Sequence, residues 1–296
     1  MSYFSLYIFA FLLNISFTFA KFVPPPRTRH TSVLVDKKLY FFGGIDENYT
    51  ALPWNKLTST GVLQNYGASA CNGGNNNDLF IFGGYESESF TIKYDINNKH
   101  WTNITSSGKE PINRFSFSCA KFNNRLITIF AGFPDDGADS INDLWIFDSF
   151  KLKWTLSNAS NAPQTSILPL YDTASDTWKS LNTSGPTPPS RTDFSAVLTS
   201  DKRIIIFGGQ NDFPSVFGDL WILDIATNKW SVGKISNPNG LTLYSHTATL
   251  VDNYMIVAFG SYGGNNITST IYLLDVSKRD SYTWVTKFIP NTTNFK

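Results

Sequence analysis

The sequence predicts an all-β protein of about six repeated antiparallel units, of which units one and four are truncated. Aromatic residues make up 16% of the 296 residues, a share typical of half-buried strands. An apolar strand that ends in two glycines recurs, with close copies at Gly44, Gly84 and Gly209 and weaker ones at Gly132 and Gly260. No apolar period of 3.6 residues runs far enough to indicate a helix bundle or a doubly wound sheet.

The N-terminal residues 1–20 are typical of a secretory signal peptide. The run from Tyr3 to Ala20 has no charged side chain, and Thr18 and Ala20 are small residues at the positions read before cleavage. The segment before this run lacks Lys and Arg, so an uncleaved anchor or a buried first strand stays an alternative. No second apolar run of that length follows. We therefore expect a secreted, extracellular chain without a membrane span, with a Pro-rich linker over 21–26 and the repeats over 27–290.

Glycosylation acceptors agree with export, although an Asn- and Thr-rich chain also produces such triplets by chance. Beyond Asn14, the Asn-x-Ser/Thr acceptors are Asn48, Asn103, Asn158, Asn182, Asn266 and Asn291. The two cysteines, Cys71 and Cys119, allow one disulfide at most, and their spacing leaves open whether they pair.

The first half of each unit is predicted to be a hairpin. Thr31 to Val35 forms a strand, Asp36 to Lys38 makes the turn, and the returning strand ends in the glycine pair. The segment His246–Asp252 repeats His30–Asp36 almost residue for residue. Other units carry Phe at the position of the histidine.

The second half of each unit is marked by an Asp six positions before a Trp. The pairs are Asp95 and Trp101, Asp148 and Trp154, Asp172 and Trp178, and Asp224 and Trp230; Asp275 and Trp284 are nine apart. The Asp carboxylate is expected to cap the turn of a hairpin, and the Trp to open the returning strand as a core residue.

Together the halves make a four-stranded meander of about 50 residues, which must stack on copies of itself and so indicates a β-propeller. The 24 positions from Trp154 to Trp178 lack a double-glycine strand, so unit four is expected to lack its inner two strands. Unit one is also short, because Trp54 follows Gly44 by only 10 positions. Its third strand is expected to be missing or replaced. The two deletions leave open whether the ring closes.

These motifs resemble kelch repeats from Arg27 to about Phe288: the strand closed by two glycines, the later Asp, and the Trp about 20 residues beyond. Among kelch proteins, the chain is most similar to secreted fungal kelch propellers and to the central propeller of galactose oxidase. The resemblance implies a propeller used mainly as a binding platform, with copper oxidases as a minority. Because two units depart from the pattern, a degenerate or incomplete fragment of a larger kelch protein is a further alternative.

The predicted binding surface lies in the loops that follow the glycine pairs. In a meander these loops and the connections between blades lie on one face, around the mouth of the channel. Their aromatic, acidic and amide side chains suit a protein or carbohydrate ligand, although ordinary polar turns have a similar composition. The candidates are Tyr49, Tyr85, Glu86, Phe133, Asp135, Asp136, Gln210, Asn211, Phe213 and Tyr262.

Enzymatic chemistry finds little support in the sequence, so we expect no catalytic residue, no metal and no cofactor. Only His30, His100 and His246 are present, and two of them share one repeat position, which favours a scaffold role over copper binding. The acidic stretch Asp135 to Asp139 is more typical of a solvated turn, or a weak cation site, than of a catalytic pair. The formal net charge of +1 gives no field that would attract nucleic acid.

Overall fold

The computed structural model describes residues 24–46, 65–74, 78–123, 125–159, 168–211, 215–264 and 266–290. Every regular element in these ranges is a β-strand, which confirms the all-β prediction. None of the described residues belongs to a helix long and apolar enough to cross a membrane.

The strands fall into four four-stranded sheets and several pairs, named here by the predicted unit to which they belong. Unit one is the hairpin of β1 (Thr31–Val35) and β2 (Lys38–Phe42). Blade 2 consists of β3 (Ser69–Gly73), β4 (Asp78–Phe82), β5 (Thr91–Asp95) and β6 (His100–Asn103). The short β7 (Arg114–Phe115) precedes blade 3, which consists of β8 (Ser118–Lys121), β9 (Leu126–Phe130), β11 (Leu144–Asp148) and β12 (Lys153–Leu156). In the chain, β10 (Phe133–Pro134) lies between β9 and β11, and it pairs with β7.

The second half of the chain has the same organisation. Unit four is the hairpin of β13 (Leu168–Asp172) and β14 (Thr177–Leu181). Blade 5 consists of β15 (Ser195–Leu198), β16 (Arg203–Phe207), β17 (Leu220–Asp224) and β18 (Lys229–Gly233). Blade 6 consists of β19 (Thr247–Val251), β20 (Tyr254–Ala258), β23 (Ile271–Asp275) and β24 (Thr283–Val285), and the small pair β21 (Ser261–Gly263) and β22 (Asn266–Ile267) lies within it.

Within the described residues the structure has four complete blades, so six is wrong as a count of blades. The units expected to be truncated, one and four, are each two-stranded in that part of the chain. There, unit four has the outer hairpin alone, and Trp178 packs on Phe130 of blade 3 at 5.0 Å between ring centroids. The reason is chain length, because the interval before Trp178 is too short for another inner hairpin. The replacement of the third strand in unit one, together with Trp54, lies outside the described residues.

The predicted Asp-to-Trp hairpins are confirmed. Asp95 Oδ1 accepts hydrogen bonds from the backbone N–H groups of Asn97 and Asn98, both at 2.9 Å. Asp148, Asp172 and Asp224 cap their turns in the same way. Each Trp lies opposite the residue before its Asp in the hairpin. This turn is therefore specified locally, by one carboxylate.

The cores between adjacent blades differ in composition. Between blades 2 and 3 the buried residues are mainly aromatic: Phe80, Phe82, Phe90, Phe147 and Trp154. Between blades 5 and 6 they are mainly aliphatic: Val197, Ile205, Leu220, Ile222, Met255, Val257 and Leu274. Burying one such side chain stabilises the fold by about 1.5–3 kcal/mol, so both interfaces are substantial.

Five equivalent residues, one before each inner strand, surround the axis; we call them the axial arc (Arg29, Gly67, Ser116, Asp193 and Ser245). Each has a positive φ between 50° and 69°. Neighbouring members of the arc are joined by backbone hydrogen bonds of 2.8–3.2 Å. The N–H of Ser116 donates to the carbonyl oxygen of Gly67, and that of Gly67 to Arg29. The N–H of Arg29 donates to Ser245, and that of Ser245 to Asp193. Within the described residues no such bond joins Asp193 to Ser116. The arc therefore stays open where unit four lacks its inner strands.

A disulfide joins the inner strands of blades 2 and 3. Cys71 of β3 and Cys119 of β8 are bonded, with their Cα atoms 6.4 Å apart. The sequence left this pairing open because the two cysteines meet only when adjacent blades stack. The bond closes a loop with a sequence separation of 48 residues. By chain entropy, a loop of that size contributes about 4 kcal/mol of stability.

Candidate binding face

The glycine pairs position the loops on the channel-mouth face. Gly83 and Gly84 have φ of 57° and 104°, which confirms the positive φ expected of them. A Cβ on Gly83 would lie 2.3 Å from the carbonyl oxygen of Arg114, so the next blade approaches too closely for any side chain. The Gly84 N–H donates to that same carbonyl oxygen at 2.8 Å. The glycines thus lock each loop to the segment that enters the next blade.

An exposed row of four aromatic residues follows from this geometry. The Tyr85 N–H donates to the Tyr66 carbonyl oxygen at 2.9 Å, and β10 pairs Phe133 with Phe115 of β7. The ring centroids are 5.1 Å apart from Tyr66 to Tyr85, 5.5 Å from Tyr85 to Phe115 and 6.1 Å from Phe115 to Phe133. Phe133 is 48% exposed and the other three are half-buried. We call these residues the aromatic row.

Two carboxylates lie directly beside the aromatic row. Asp135 Oδ2 accepts a hydrogen bond from the backbone N–H of Glu86 at 3.1 Å and another from the side-chain amide of Asn113. Burial raises the pKa of the Tyr66 hydroxyl, and the neighbouring Tyr85, Glu86 and Asp135 raise it further. The loops of blades 2 and 3 are therefore cross-linked into one surface.

The described binding candidates lie in two regions, one on blades 2 and 3 and the other on blades 5 and 6. Tyr85, Glu86, Phe133, Asp135 and Asp136 gather on blades 2 and 3, and Asp136 is exposed. On blade 5, the Gln210 amide donates to Asp193 of the axial arc at 2.9 Å, and Asn211 is exposed. On blade 6, the Tyr262 and Tyr272 hydroxyls share a hydrogen bond. Tyr49 and Phe213 lie outside the described residues.

Two residues that complete the aromatic row, Tyr66 and Phe115, were not among the binding residues predicted from the sequence. Both stand one position before the axial arc, in the segment that enters an inner strand. The pairing register between blades would have identified them, because the residue after each glycine pair lies opposite this position. At the same position blade 5 has Thr192 and blade 6 has Tyr244.

A cavity of about 580 Å³ occupies the axis, lined by the axial arc and the inner strands. None of the described candidates lines it. His30 Nε2 is hydrogen-bonded to the Thr247 hydroxyl at 2.9 Å, and His246 Nε2 to the Ser195 hydroxyl at 2.7 Å. Burial lowers the pKa of His30 well below its ordinary value and that of His246 to about 3. Both histidines are therefore neutral, and each links two neighbouring units through one side-chain hydrogen bond.

The described residues include no group of three or more His, Cys, Asp or Glu side chains arranged to hold a metal ion. The sulfurs of both cysteines are bonded to each other in the disulfide between β3 and β8. The four described glycosylation acceptors, Asn103, Asn158, Asn182 and Asn266, are all exposed. Their glycosylation stays a prediction, and Asn48 and Asn291 lie outside the described residues.

Comparison with known proteins bears directly on the repeat. A family model described as the KLHDC2/KLHL20/DRC7 Kelch-repeats domain matches residues 48–167 and 157–294. The chain belongs to the kelch-repeat family. The similarity to kelch proteins inferred from the glycine pairs and the Asp-to-Trp spacing is thereby confirmed, while the secreted fungal character stays a prediction.

Individual kelch relatives are distant. The chain is 24% identical to the leucine-zipper-like transcriptional regulator 1 homolog of Drosophila melanogaster over 90% of this chain and 27% of that protein. It is 26% identical to acyl-CoA-binding domain-containing protein 5 of Arabidopsis thaliana over 82% and 37% of the two chains. It is 24% identical to a kelch repeat-containing protein of Arthroderma benhamiae over 84% and 35%. The chain thus spans 27–37% of these three relatives.

A solved structure shows the same fold. The structure of YjhT superposes with a TM-score of 0.66 at 12% identity, covering 89% of this chain and 99% of that chain. At this identity the likeness concerns the β-propeller fold alone.

Proposed function

We propose that this kelch propeller is an extracellular, non-enzymatic binding module that recognises a protein or a glycan through the loops of blades 2 and 3. The aromatic row carries the proposal. Rigid aromatic side chains give large contact areas at a low cost in conformational entropy, and they dominate recognition when polar groups surround them. Here the backbone pairing of Tyr85 with Tyr66 fixes the row on strands and tight turns.

The extracellular part of the proposal has separate support. The apolar N-terminal run, the exposed Asn-x-Ser/Thr acceptors and the Cys71–Cys119 disulfide are each typical of the secretory pathway. Expression of the full chain in eukaryotic cells tests this part. We expect the protein in the medium, with a mass that falls on treatment with an N-glycosidase. Retention of an unglycosylated chain in the cytosol would contradict it.

Binding itself is tested by probing the purified secreted protein with a glycan array and a random hexapeptide library. Any retained ligand is then titrated against Tyr85→Ala and Phe133→Ala. Each variant should bind about tenfold more weakly, because each removes an aromatic face from the row.

The matched control is Phe150→Ala. Phe150 is 47% exposed, as Phe133 is, but it lies in the turn between β11 and β12, on the opposite face. Its substitution should leave the affinity unchanged. A ligand whose affinity falls equally in Phe133→Ala and Phe150→Ala, or in neither, would overturn the proposed binding face.

A further inference from the structure

The two loop segments that flank the aromatic row, Tyr85 to Ser89 and Phe133 to Ser140, carry five carboxylates and no cationic side chain. The residues are Glu86, Glu88, Asp135, Asp136 and Asp139. All but Asp135 are exposed. None of the five forms an ion pair within the described part of the chain, where the carboxylates of Asp143, Asp148, Asp219 and Asp224 each have an arginine partner.

Asp135 shows this deficit at the level of single atoms. Its Oδ2 is held by the Glu86 N–H and the Asn113 amide, as described above. Its Oδ1 is buried and has no hydrogen-bond partner among the described residues. A buried carboxylate oxygen without a donor is costly, and charged donors make the strongest bonds to carboxylates. Within the described residues, no cationic side chain donates to Asp135.

Two arginines lie beside the row without neutralising the five carboxylates. Arg114 of β7 is buried and paired with Asp143. Arg29 of the axial arc opposes the rise in the pKa of the Tyr66 hydroxyl without reversing it. Because five carboxylates outnumber these arginines, the surface keeps a net negative charge. Positive charge that is complementary to such a surface would speed encounter and favour binding.

The aromatic row and the carboxylates suit the same ligand chemistry. Arginine and lysine bind to the faces of aromatic rings by cation–π attraction, and a guanidinium also binds carboxylates in a bidentate manner. A neutral sugar can stack on the row, but it leaves the carboxylates unpaired. The centroid spacings of 5.1, 5.5 and 6.1 Å make the row long enough for roughly five residues of extended chain, which advances about 3.3 Å per residue.

We propose that the aromatic row and its five carboxylates bind an extended peptide segment that carries arginine or lysine. This inference rests on the proposed function, since it names the ligand class of the same face. The bound peptide would place its cationic side chains over Tyr85 and Phe133 and direct their donors to the exposed carboxylates of Glu86 and Asp136.

A positional-scanning hexapeptide library, with one residue fixed in each pool, tests this inference on the full secreted protein. We expect pools with fixed Arg or Lys to be retained at least tenfold more than pools with fixed Asp or Glu. In the best-bound peptide, replacing Arg by citrulline keeps the shape and removes the charge. That replacement should weaken binding about tenfold.

Protein variants locate the charge. Glu86→Gln combined with Asp136→Asn removes two exposed carboxylates while preserving side-chain size, and it should weaken the Arg peptide threefold to tenfold and flatten its salt dependence. The control is Asp36→Asn combined with Asp280→Asn, which changes the net charge equally in turns on the opposite face. It should have no more than a small effect.

The outcomes separate the two proposals. Equal retention of Arg and Glu pools, an unchanged affinity of the citrulline peptide, or binding of glycans alone that depends on Tyr85 would overturn the cationic peptide and leave the binding face standing. If no peptide or glycan binds in a manner that depends on Tyr85 and Phe133, both proposals fail.

Discussion

Blades 2 and 3 and blades 5 and 6 are built from the same four-stranded unit, yet they differ in their cores, in the link between their inner strands and in the residues at the mouth. Blades 2 and 3 have an aromatic core, a disulfide between inner strands and the aromatic row at the mouth. Blades 5 and 6 have an aliphatic core and a Ser195–His246 hydrogen bond between inner strands. At the mouth they carry Gln210 and Ser261 after their glycine pairs, where blades 2 and 3 carry Tyr85 and Phe133.

Positions that differ between equivalent blades indicate where a repeat protein can bind a ligand. A position that the repeat requires, such as the glycine pair or the turn Asp, is explained by the fold. A position that the fold leaves free can be selected for ligand contact. On that criterion the mouth of blades 2 and 3 is the candidate site, because its aromatic residues satisfy no requirement of the repeat.

The largest expected effect is a loss of stability when the disulfide that joins blades 2 and 3 is removed. Replacing Cys71 and Cys119 by alanine removes the covalent link of blades 2 and 3 and should lower the free energy of unfolding by about 4 kcal/mol. Urea denaturation measures it, and the reduced wild-type protein serves as the control because it should unfold near the variant's midpoint. Identical midpoints for oxidised wild type and variant would show that the inner strands need no covalent link.

The next effect belongs to blade 6 and depends on pH. His246 has a folded-state pKa of about 3, below the ordinary value of about 6.5, so the folded state excludes its proton. Its contribution to stability is complete above pH 6.5 and is lost as the pH falls below that value. From pH 6.5 to pH 5 the loss from this residue amounts to about 2 kcal/mol.

His246→Phe tests this pH dependence, because blades 3 and 5 carry Phe117 and Phe194 at the same repeat position. The slope of unfolding free energy against pH between 5 and 6.5 should become flatter by about 1 kcal/mol per pH unit. His100→Gln is the control, since His100 is exposed and should leave the slope unchanged. A variant with the wild-type slope would show that His246 does not titrate with folding.

The repeated unit and its local turns could be predicted from the sequence, and the side-chain contacts between blades could not. The turn at Asp95 depends on two adjacent N–H groups, so its spacing to Trp101 was sufficient. The Cys71–Cys119 bond depends on the stacking of blades, which spacing does not reveal. The count of six included the two truncated units, which are not complete blades. The reduction of unit four to a hairpin was itself expected from the short interval between Trp154 and Trp178.

The candidate site was predicted in part for the same reason. Tyr85 and Phe133 directly follow or adjoin the glycine pairs, so the topology placed them at the mouth. Tyr66 and Phe115 lie in segments between blades, and only the register of the pairing brings them beside the other two. The missing partner of Asp135 Oδ1 is likewise visible only in three dimensions.

Ligands are proposed to bind to blades 2 and 3 and not to blades 5 and 6. Hydroxyl-radical footprinting of the purified protein, free and saturated with the best-bound hexapeptide or glycan, distinguishes these two faces. We expect protection of Tyr85 and Phe133 with unchanged oxidation of Tyr262, which is 39% exposed on blade 6. Protection of Tyr262 with unchanged Tyr85 and Phe133 would contradict it.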